Sequence, residues 1–170
     1  MSEQNDLAGK LTHIGPAGEA RMVAVGEKPI TRRTATAAAV CCMNGATAQA
    51  VRDVSLKKGD VLQVARLAAI GAAKRTDELI PLCHTLPLDD VQVAFQWLEP
   101  TRLQVLTSVA ATGRTGVEME AMLAASVAAL TIYDMCKSSD RNMRIEAIEL
   151  LSKTGGVRGD FTRPSGSTHA

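Results

Sequence analysis

The feature that most constrains the fold is an apolar stretch from Gly116 to Lys137, which reads GVEMEAMLAASVAALTIYDMCK. Between residues 121 and 133 only one serine and one threonine interrupt the apolar side chains. A helix this apolar must pack against a sheet or against neighbouring subunits. Aromatic residues make up only 2% of the chain. The core must therefore be built from Ala, Val, Leu, Ile and Met.

Ionisable residues stand at both ends of this stretch. Glu118 and Glu120 near its start and Lys137 near its end match the helix dipole, which explains them without any function. Asp134 does not fit this explanation, because a carboxylate in the last turn faces the negative end of the dipole. Its i,i+3 spacing to Lys137 allows an ion pair, which is typical both of proton-transfer sites and of ordinary surfaces. The helical rise separates Glu120 from Asp134 by roughly 21 Å, too far for both to hold one reacting atom within one chain.

The rest of the chain contains further helix signals. The Ala-rich segment from Ala35 to Val54 predicts a helix despite Gly45. Asp60 is a candidate N-cap for a second helix, and apolar residues then follow helical spacing through DVLQVARLAAIGAAKR. The segment LIPLCHTLPL carries two prolines and predicts a loop or an extended segment.

Alternating residues predict the strands. Residues 90–98 and 102–110 each alternate with one apolar face, and the tight connection Glu99-Pro100-Thr101 predicts a hairpin. Residues 143–151 predict another strand, with residues 145, 147 and 149 on one face. A short strand is predicted at 22–25. These elements predict an α+β fold, in which an antiparallel sheet has long helices packed on one face.

Composition and charge narrow the class of protein. A formal net charge of +1 argues against a general nucleic-acid binder, which needs a strong basic excess. The four cysteines form no C-x-x-C pair and indicate reduced thiols in a cytoplasmic protein. The polar N-terminus lacks the pattern of a signal peptide. The sequence contains no uninterrupted run of about 18 apolar residues, so we expect no membrane span. We expect one domain over residues 1–170, with residues 1–10 and 160–170 mobile.

Three further groups are candidates for chemistry, and each has an ordinary structural explanation. Cys83 and His84 lie in the proline-bounded loop before a strand, where site residues are often found. Lys58 lies in a basic turn at a helix N-terminus, and Lys153 begins the Gly-rich stretch KTGGVRG. A structural histidine and solvated turns explain the same residues. Cys83, His84 and the carboxylates lack metal-ligand spacing, so we expect no metal site.

Taken together, five segments in this order closely resemble the molybdenum cofactor biosynthesis protein C (MoaC) family. The segments are LTHIGPAGEARMV, KKGDVLQVARLAAIGAAKRT, LIPLCH, TGVEMEAMLAASVAALTIYDMCK and LLSKTGG. The resemblance covers Leu11 to about Asp160. It implies a lyase, a cyclic pyranopterin monophosphate synthase, acting on 3′,8-cyclo-7,8-dihydro-GTP. The enzyme would rebuild the purine and ribose into a pyranopterin, close a cyclic phosphate and release pyrophosphate.

The resemblance also implies a ferredoxin-like subunit in a homohexamer, a trimer of dimers, that needs no metal or organic cofactor. It makes Asp134, Lys137 and Lys58 the catalytic residues. It further implies that a larger set of residues binds the substrate: Leu82, Cys83, His84, Glu118, Met119, Glu120 and Lys153. Thr85 stands where the family usually has proline, and Ala24 stands where it usually has aspartate.

Two other classes compete with this interpretation. A binding protein could keep the pocket without the chemistry, but retention of the implied catalytic residues argues against it. A GTP hydrolase would need a metal-phosphate motif, and the sequence carries none.

Overall fold

The computed structural model describes Ile14, residues 17–157 and residues 159–164. Within these residues five strands and four helices follow one another along the chain. They are β1 (Thr31–Cys42), α1 (Gly45–Arg52), α2 (Val61–Ala73), α3 (Thr76–Leu79), β2 (Leu88–Glu99), β3 (Arg102–Gly113), α4 (Glu118–Cys136), β4 (Arg144–Thr154) and β5 (Phe161–Thr162).

The strands form a single sheet in the order β2-β3-β1-β4-β5, and each neighbouring pair is antiparallel. The order of elements from β1 to β4 is that of the ferredoxin-like βαββαβ unit. Helix α4 packs against β1, β3 and β4, and α2 packs beside α4 and against β2. The predicted α+β fold is therefore confirmed, as is the β2–β3 hairpin.

The prediction of one helix from Ala35 to Val54 is wrong over its first half. Residues 31–42 form β1, and only Gly45–Arg52 is helical, beginning after Asn44, whose side chain accepts a hydrogen bond from the amide of Thr47. Alanine favours helices in isolation, but β1 pairs with β3 on one side and β4 on the other. Residues 37–41 are all buried. A strand buried on consecutive residues loses the alternation that identifies a strand in a sequence.

Helix α4 forms the centre of the core. By length and hydropathy it could cross a membrane, and half of the stretch concerned is buried inside the fold. Its fully buried residues are mostly small: Ala121, Ala124, Ala125, Ala128, Ala129, Ile132 and Cys136. Packing against the sheet and α2 thus accounts for its apolar character, as in the core helix of a folded domain.

Helix α2 forms as predicted, and the Asp60 carboxylate caps it by accepting hydrogen bonds from the amides of Leu62 and Gln63. The buried face consists mainly of small residues, including Ala65 and Ala69, whereas Val64 and Leu67 are 40% and 70% exposed. Small side chains allow the axes of α2 and α4 to approach closely. The larger apolar residues of α2 are left on the outside.

Strand β4 does not keep the predicted alternation. Ile145 pairs with Cys41 and Leu150 with Ala37, and both side chains pack on the core, although their spacing is odd. A bulge at Ala147, whose φ is 51°, inserts one residue and reverses the faces as far as Leu150, and a second register shift before Ser152 restores them. The expectation that residues 145, 147 and 149 share a face is therefore wrong.

The chain termini differ in part from the sequence-based prediction. The predicted strand at 22–25 is absent, and these residues have irregular backbone with no strand partner. Phe161–Thr162 forms β5 against Ser152 and Lys153 of β4. The predicted mobility of residues 1–10 and of 165–170 concerns residues outside those described.

Candidate active site

A cavity of about 400 Å³ opens beside the N-terminus of α4. Its walls come from the first turn of α4, the loop after α3, the end of β4 and two segments near β1. All seven residues that the resemblance implies for substrate binding line it: Leu82, Cys83, His84, Glu118, Met119, Glu120 and Lys153. Residues that are distant in sequence thus converge on one concave surface.

Glu118 lies on one wall and forms an ion pair across the cavity. Its Oε1 is 2.8 Å from the Nζ of Lys153 on β4, and both side chains are about 30% exposed. Gly116 makes room for this carboxylate, because a Cβ at Gly116 would lie 1.8 Å from the Oε2 of Glu118. Both glutamates lie in the first turn of α4, where the dipole favours a negative charge.

Glu120 is buried, with only 4% of its surface exposed. Burial raises the pKa of its carboxyl to about 7, and its own backbone amide opposes this rise. The negative charges of Glu118 and Asp77 raise the pKa further. A carboxyl that titrates near neutrality can both donate and accept a proton at physiological pH.

The loop that carries Leu82, Cys83 and His84 follows α3. The amide of Cys83 donates a hydrogen bond of 3.0 Å to the carbonyl of Ile80, which fixes a turn. Burial raises the pKa of the Cys83 thiol, and the charge of Glu120 adds to this rise. The thiol is therefore protonated at neutral pH, as expected of a lining residue rather than a nucleophile.

Three basic residues of the cavity were missed from the sequence. Arg33 is 3% exposed, its Nε donates to the carbonyl of Gly113 at 3.4 Å, and its Nη2 has no hydrogen-bond partner in the described part of the chain. Lys28 and Arg114 also line the cavity. A buried guanidinium with an unused donor is suited to bind an oxyanion. The adjacent arginines of TRRT could have indicated this position.

A second charged group lies at the other end of α4. The Nζ of Lys137 is 2.7 Å from the Oδ1 of Asp134, which confirms the predicted pair. The Nζ of Lys58 is 3.3 Å from the Oδ2 of Asp134 and 2.8 Å from its backbone carbonyl. Two cations thus offset the unfavourable position of this carboxylate at the helix C-terminus.

A tight turn of the backbone places the side chain of Lys58 next to Asp134. The amide of Gly59, whose φ is 89°, donates to the carbonyl of Leu56 at 2.9 Å, and Asp60 then caps α2. The hydrogen bond from Lys137 lowers the pKa of Asp134, and that from Lys58 lowers it further. The same bond raises the pKa of Lys137. All three side chains are largely exposed in the single chain.

The structure brings the implied site residues together in two groups, not in one. Glu120 and Asp134 are roughly 21 Å apart along α4 at the standard helical rise. The cavity beside α4 holds the implied binding residues, and the Asp134 group lies outside it. In the described residues, no three His, Cys, Asp or Glu side chains are arranged to hold a metal ion.

The two departures from the family pattern have different surroundings. Thr85 donates a hydrogen bond to the Oδ2 of Asp77 on α3. Ala24 is exposed between Val23 and Val25, which both line the cavity. Thr85 therefore has a specific contact beside the site.

A sequence model of the MoaC family matches residues 22–156 of the chain. The match contains both charged groups and all of the implied site residues. Curated relatives extend this similarity over almost the whole length.

The chain is 52% identical to cyclic pyranopterin monophosphate synthase 1 of Mycobacterium tuberculosis (strain ATCC 25618 / H37Rv) over 158 residues, which cover 93% of each protein. It is 53% identical to the cyclic pyranopterin monophosphate synthase of Herpetosiphon aurantiacus over 156 residues, covering 91% of this chain and 94% of that protein. The enzyme of the same name from Brevibacillus brevis is 48% identical over 157 residues, covering 92% and 98%.

Proposed function

The chain belongs to the MoaC family, and we propose that it has the activity for which its curated relatives are named. It is a lyase of molybdenum cofactor biosynthesis, a cyclic pyranopterin monophosphate synthase. Its substrate is 3′,8-cyclo-7,8-dihydro-GTP, and its products are cyclic pyranopterin monophosphate and pyrophosphate.

The cavity beside α4 supports this proposal because it combines cations with carboxyl groups. A triphosphate needs several positive donors, and Lys28, Arg33, Arg114 and Lys153 surround the same space. Arg33 contributes an unused guanidinium donor from a buried position. We assign these side chains to the phosphates of the substrate, together with the lining residues Leu82, Cys83, His84 and Met119.

Rearranging a purine and a ribose into a pyranopterin requires several proton transfers. Glu120, with a pKa of about 7, is suited to move protons at neutral pH. Asp134 holds the ammonium groups of Lys137 and Lys58 in one place. These three residues are the proposed catalytic group, and Glu118 orients Lys153 through their ion pair.

The distance between the two charged groups supports a second proposal, which concerns the assembly of the subunits. Glu120 and Asp134 lie roughly 21 Å apart along the same helix, too far for both to act on one reacting atom within one chain. We therefore propose that the Asp134 group of one subunit completes the cavity of another, within a homohexamer of three dimers. The exposed Val64, Leu67 and Leu130 on α2 and α4 provide apolar surface for such contacts.

We also propose a cytoplasmic location. All four cysteines lie in the described part of the chain and none forms a disulfide. Free cysteines are typical of a reducing compartment.

The decisive experiment supplies the purified protein with 3′,8-cyclo-7,8-dihydro-GTP and measures pyranopterin and pyrophosphate. We expect Lys58→Ala and Lys137→Ala to reduce turnover by at least about 100-fold, typical of the loss of an acid–base group. Both lysines are exposed, so melting temperature should change little. Lys57→Ala is the matched control, since Lys57 is an exposed neighbour in the same turn.

Near-normal turnover by either lysine variant would contradict the assigned roles. Tight binding of the substrate by the wild-type protein with no turnover would contradict the proposed reaction. It would favour a binding protein instead.

A further inference from the structure

Asp77 is a carboxylate beside the cavity to which neither the sequence nor the proposed reaction assigns a role. It lies in the short helix α3, and its side chain is half-buried. Its Oδ2 accepts a hydrogen bond from the hydroxyl of Thr85, which directly follows His84 in the chain. This contact joins the helix before the site loop to the loop itself.

Hydrogen bonds and helix contacts hold α3, and with it Asp77, in position. Thr76 is buried, and its hydroxyl donates to the carbonyl of Ala73 at 3.1 Å, which ties α3 to the end of α2. The amide of Ile80 donates to the carbonyl of Thr76 at 2.8 Å. Helix α3 also contacts α4. Asp77 therefore occupies a fixed position next to the helix that carries Glu120.

The loop has few other anchors. The turn between Ile80 and Cys83 fixes its beginning. Beyond Cys83, Leu86 packs against the core. Among the described residues, the hydrogen bond from Thr85 to Asp77 is the side-chain hydrogen bond that holds the part of the loop bearing His84. Without it, the turn at Cys83 and the packing of Leu86 would hold the His84 segment, with no side-chain hydrogen bond between them among the described residues.

The charge of Asp77 acts on the same site. Burial is the largest cause that raises the pKa of Glu120 and of Cys83, and the Asp77 carboxylate adds the smallest rise in each case. Glu118 is the other acid acting on Glu120. The remaining titratable groups around the cavity are Lys28, Arg33, His84, Arg114 and Lys153.

We propose that Asp77 and Thr85 form a positioning clamp, in which their hydrogen bond holds the Cys83–His84 loop against the cavity and α3 keeps the Asp77 carboxylate next to the helix that carries Glu120. Neither residue touches the reacting atoms. The clamp extends the proposed function, and its effect on catalysis rests on that function. Its effect on Glu120 does not depend on which reaction the site performs.

The first test measures the titration of Glu120 directly, by carbon NMR of labelled glutamate carboxyls in the full-length protein. The resonance is assigned with Glu120→Gln. We expect a midpoint near 7 in the wild type and a lower midpoint in Asp77→Asn, because one like charge is removed. The asparagine keeps an oxygen that accepts from Thr85.

Glu78→Gln is the matched control, since Glu78 is the exposed neighbouring acid in α3. Its midpoint should equal that of the wild type. An unchanged midpoint in Asp77→Asn, or an equal fall in Glu78→Gln, would overturn the role of the Asp77 charge.

The second test measures positioning through steady-state kinetics on the cyclised nucleotide. Thr85→Val keeps the shape of the side chain and removes its hydroxyl. We expect KM to rise about three- to tenfold, the value of one hydrogen bond, with kcat and melting temperature near wild type. Thr85→Ser restores the hydroxyl and should restore KM.

A KM within twofold of wild type in Thr85→Val would overturn the positioning role. If the wild-type protein fails to turn over the nucleotide, the proposed function fails. The NMR titration then still decides whether Asp77 acts on Glu120.

Discussion

Gly116 determines where the carboxylate of Glu118 lies. No side chain fits at this position without displacing that carboxylate, which forms the ion pair with Lys153. The displaced group is the end of a flexible side chain, so the backbone has no need to move. A methyl group at Gly116 should therefore change the site while leaving the fold intact.

We predict that Gly116→Ala raises KM about three- to tenfold, since one ion pair in the cavity is lost, and lowers stability by less than about 1 kcal/mol. Steady-state kinetics and chemical denaturation measure the two effects. Gly71→Ala in α2 is the control, because a Cβ there meets nothing within 4 Å. It should leave KM unchanged and raise stability by about 0.5–1 kcal/mol. An unchanged KM in Gly116→Ala would contradict the role of the glycine.

Glu120 links stability to pH. Burial raises its pKa from 4.5 to about 7 in the folded state. Between these values the folded chain binds a proton that the unfolded chain has released. Stability from this group is therefore complete below pH 4.5 and is lost as pH rises through 7.

We predict that Glu120→Gln removes this dependence, which amounts to at most about 3 kcal/mol. The measurement is urea denaturation at several pH values between 4.5 and 8. The free energy of unfolding of the wild type, relative to that of the variant, should fall over this range. Glu78→Gln should behave as the wild type. Parallel curves for wild type and Glu120→Gln would show that the carboxyl titrates normally.

At the scale of elements, the bulge in β4 places a non-glycine residue in left-handed backbone. Ala147 has a φ of 51° and is exposed. Left-handed conformation costs an L-residue about 1–2 kcal/mol, and glycine avoids this cost.

We predict that Ala147→Gly raises stability by about 0.5–1 kcal/mol, although glycine usually weakens a strand. Ala94→Gly on the exposed face of β2 is the matched control and should lower stability by a similar amount. Thermal or chemical denaturation measures both. Destabilisation by both substitutions would contradict the strained bulge.

The elements differ in how far the sequence could predict them. The β2–β3 hairpin and α4 were predictable, because a one-sided strand and a long apolar helix leave a clear period. Strand β1 was not, because its alanines favour a helix locally and tertiary pairing on both edges overrides that preference. The bulge at Ala147 was equally hidden, since a single inserted residue leaves no trace in composition.

The residues of the candidate site could be predicted from the sequence only in part. Resemblance identified the residues of both charged groups, and spacing predicted the Asp134–Lys137 pair. The cavity cations Arg33 and Arg114 were missed. Both arginines reach the cavity because the fold brings β1 and the end of β3 beside α4. Spacing in the sequence does not show that these elements are neighbours.

At the scale of the whole molecule, the proposal assigns the two charged groups of one active site to different subunits. Mixing two inactive variants tests this directly. Glu120→Gln disables the cavity end of α4, and Lys137→Ala disables the other end. In a shared site, random equal mixing should leave roughly a quarter of the sites with both native residues.

We therefore predict that mixed assemblies regain up to about a quarter of wild-type turnover, while each variant alone stays inactive. The measurement is the turnover assay after co-refolding, with subunit exchange verified by mass spectrometry of differently labelled chains. Exchange without any recovery of turnover would mean that each site is built from one chain.

Helix α4 begins at one charged group and ends at the other, so its length fixes the distance between the two groups. Each inserted residue would rotate Asp134 by about 100° and shift it by about 1.5 Å relative to Glu118. A substitution on the exposed side of α4 leaves this distance unchanged, whereas the buried alanines have no room for larger side chains. We therefore expect homologous chains to differ mainly at the exposed positions of α4 and to keep the number of residues between the two groups constant.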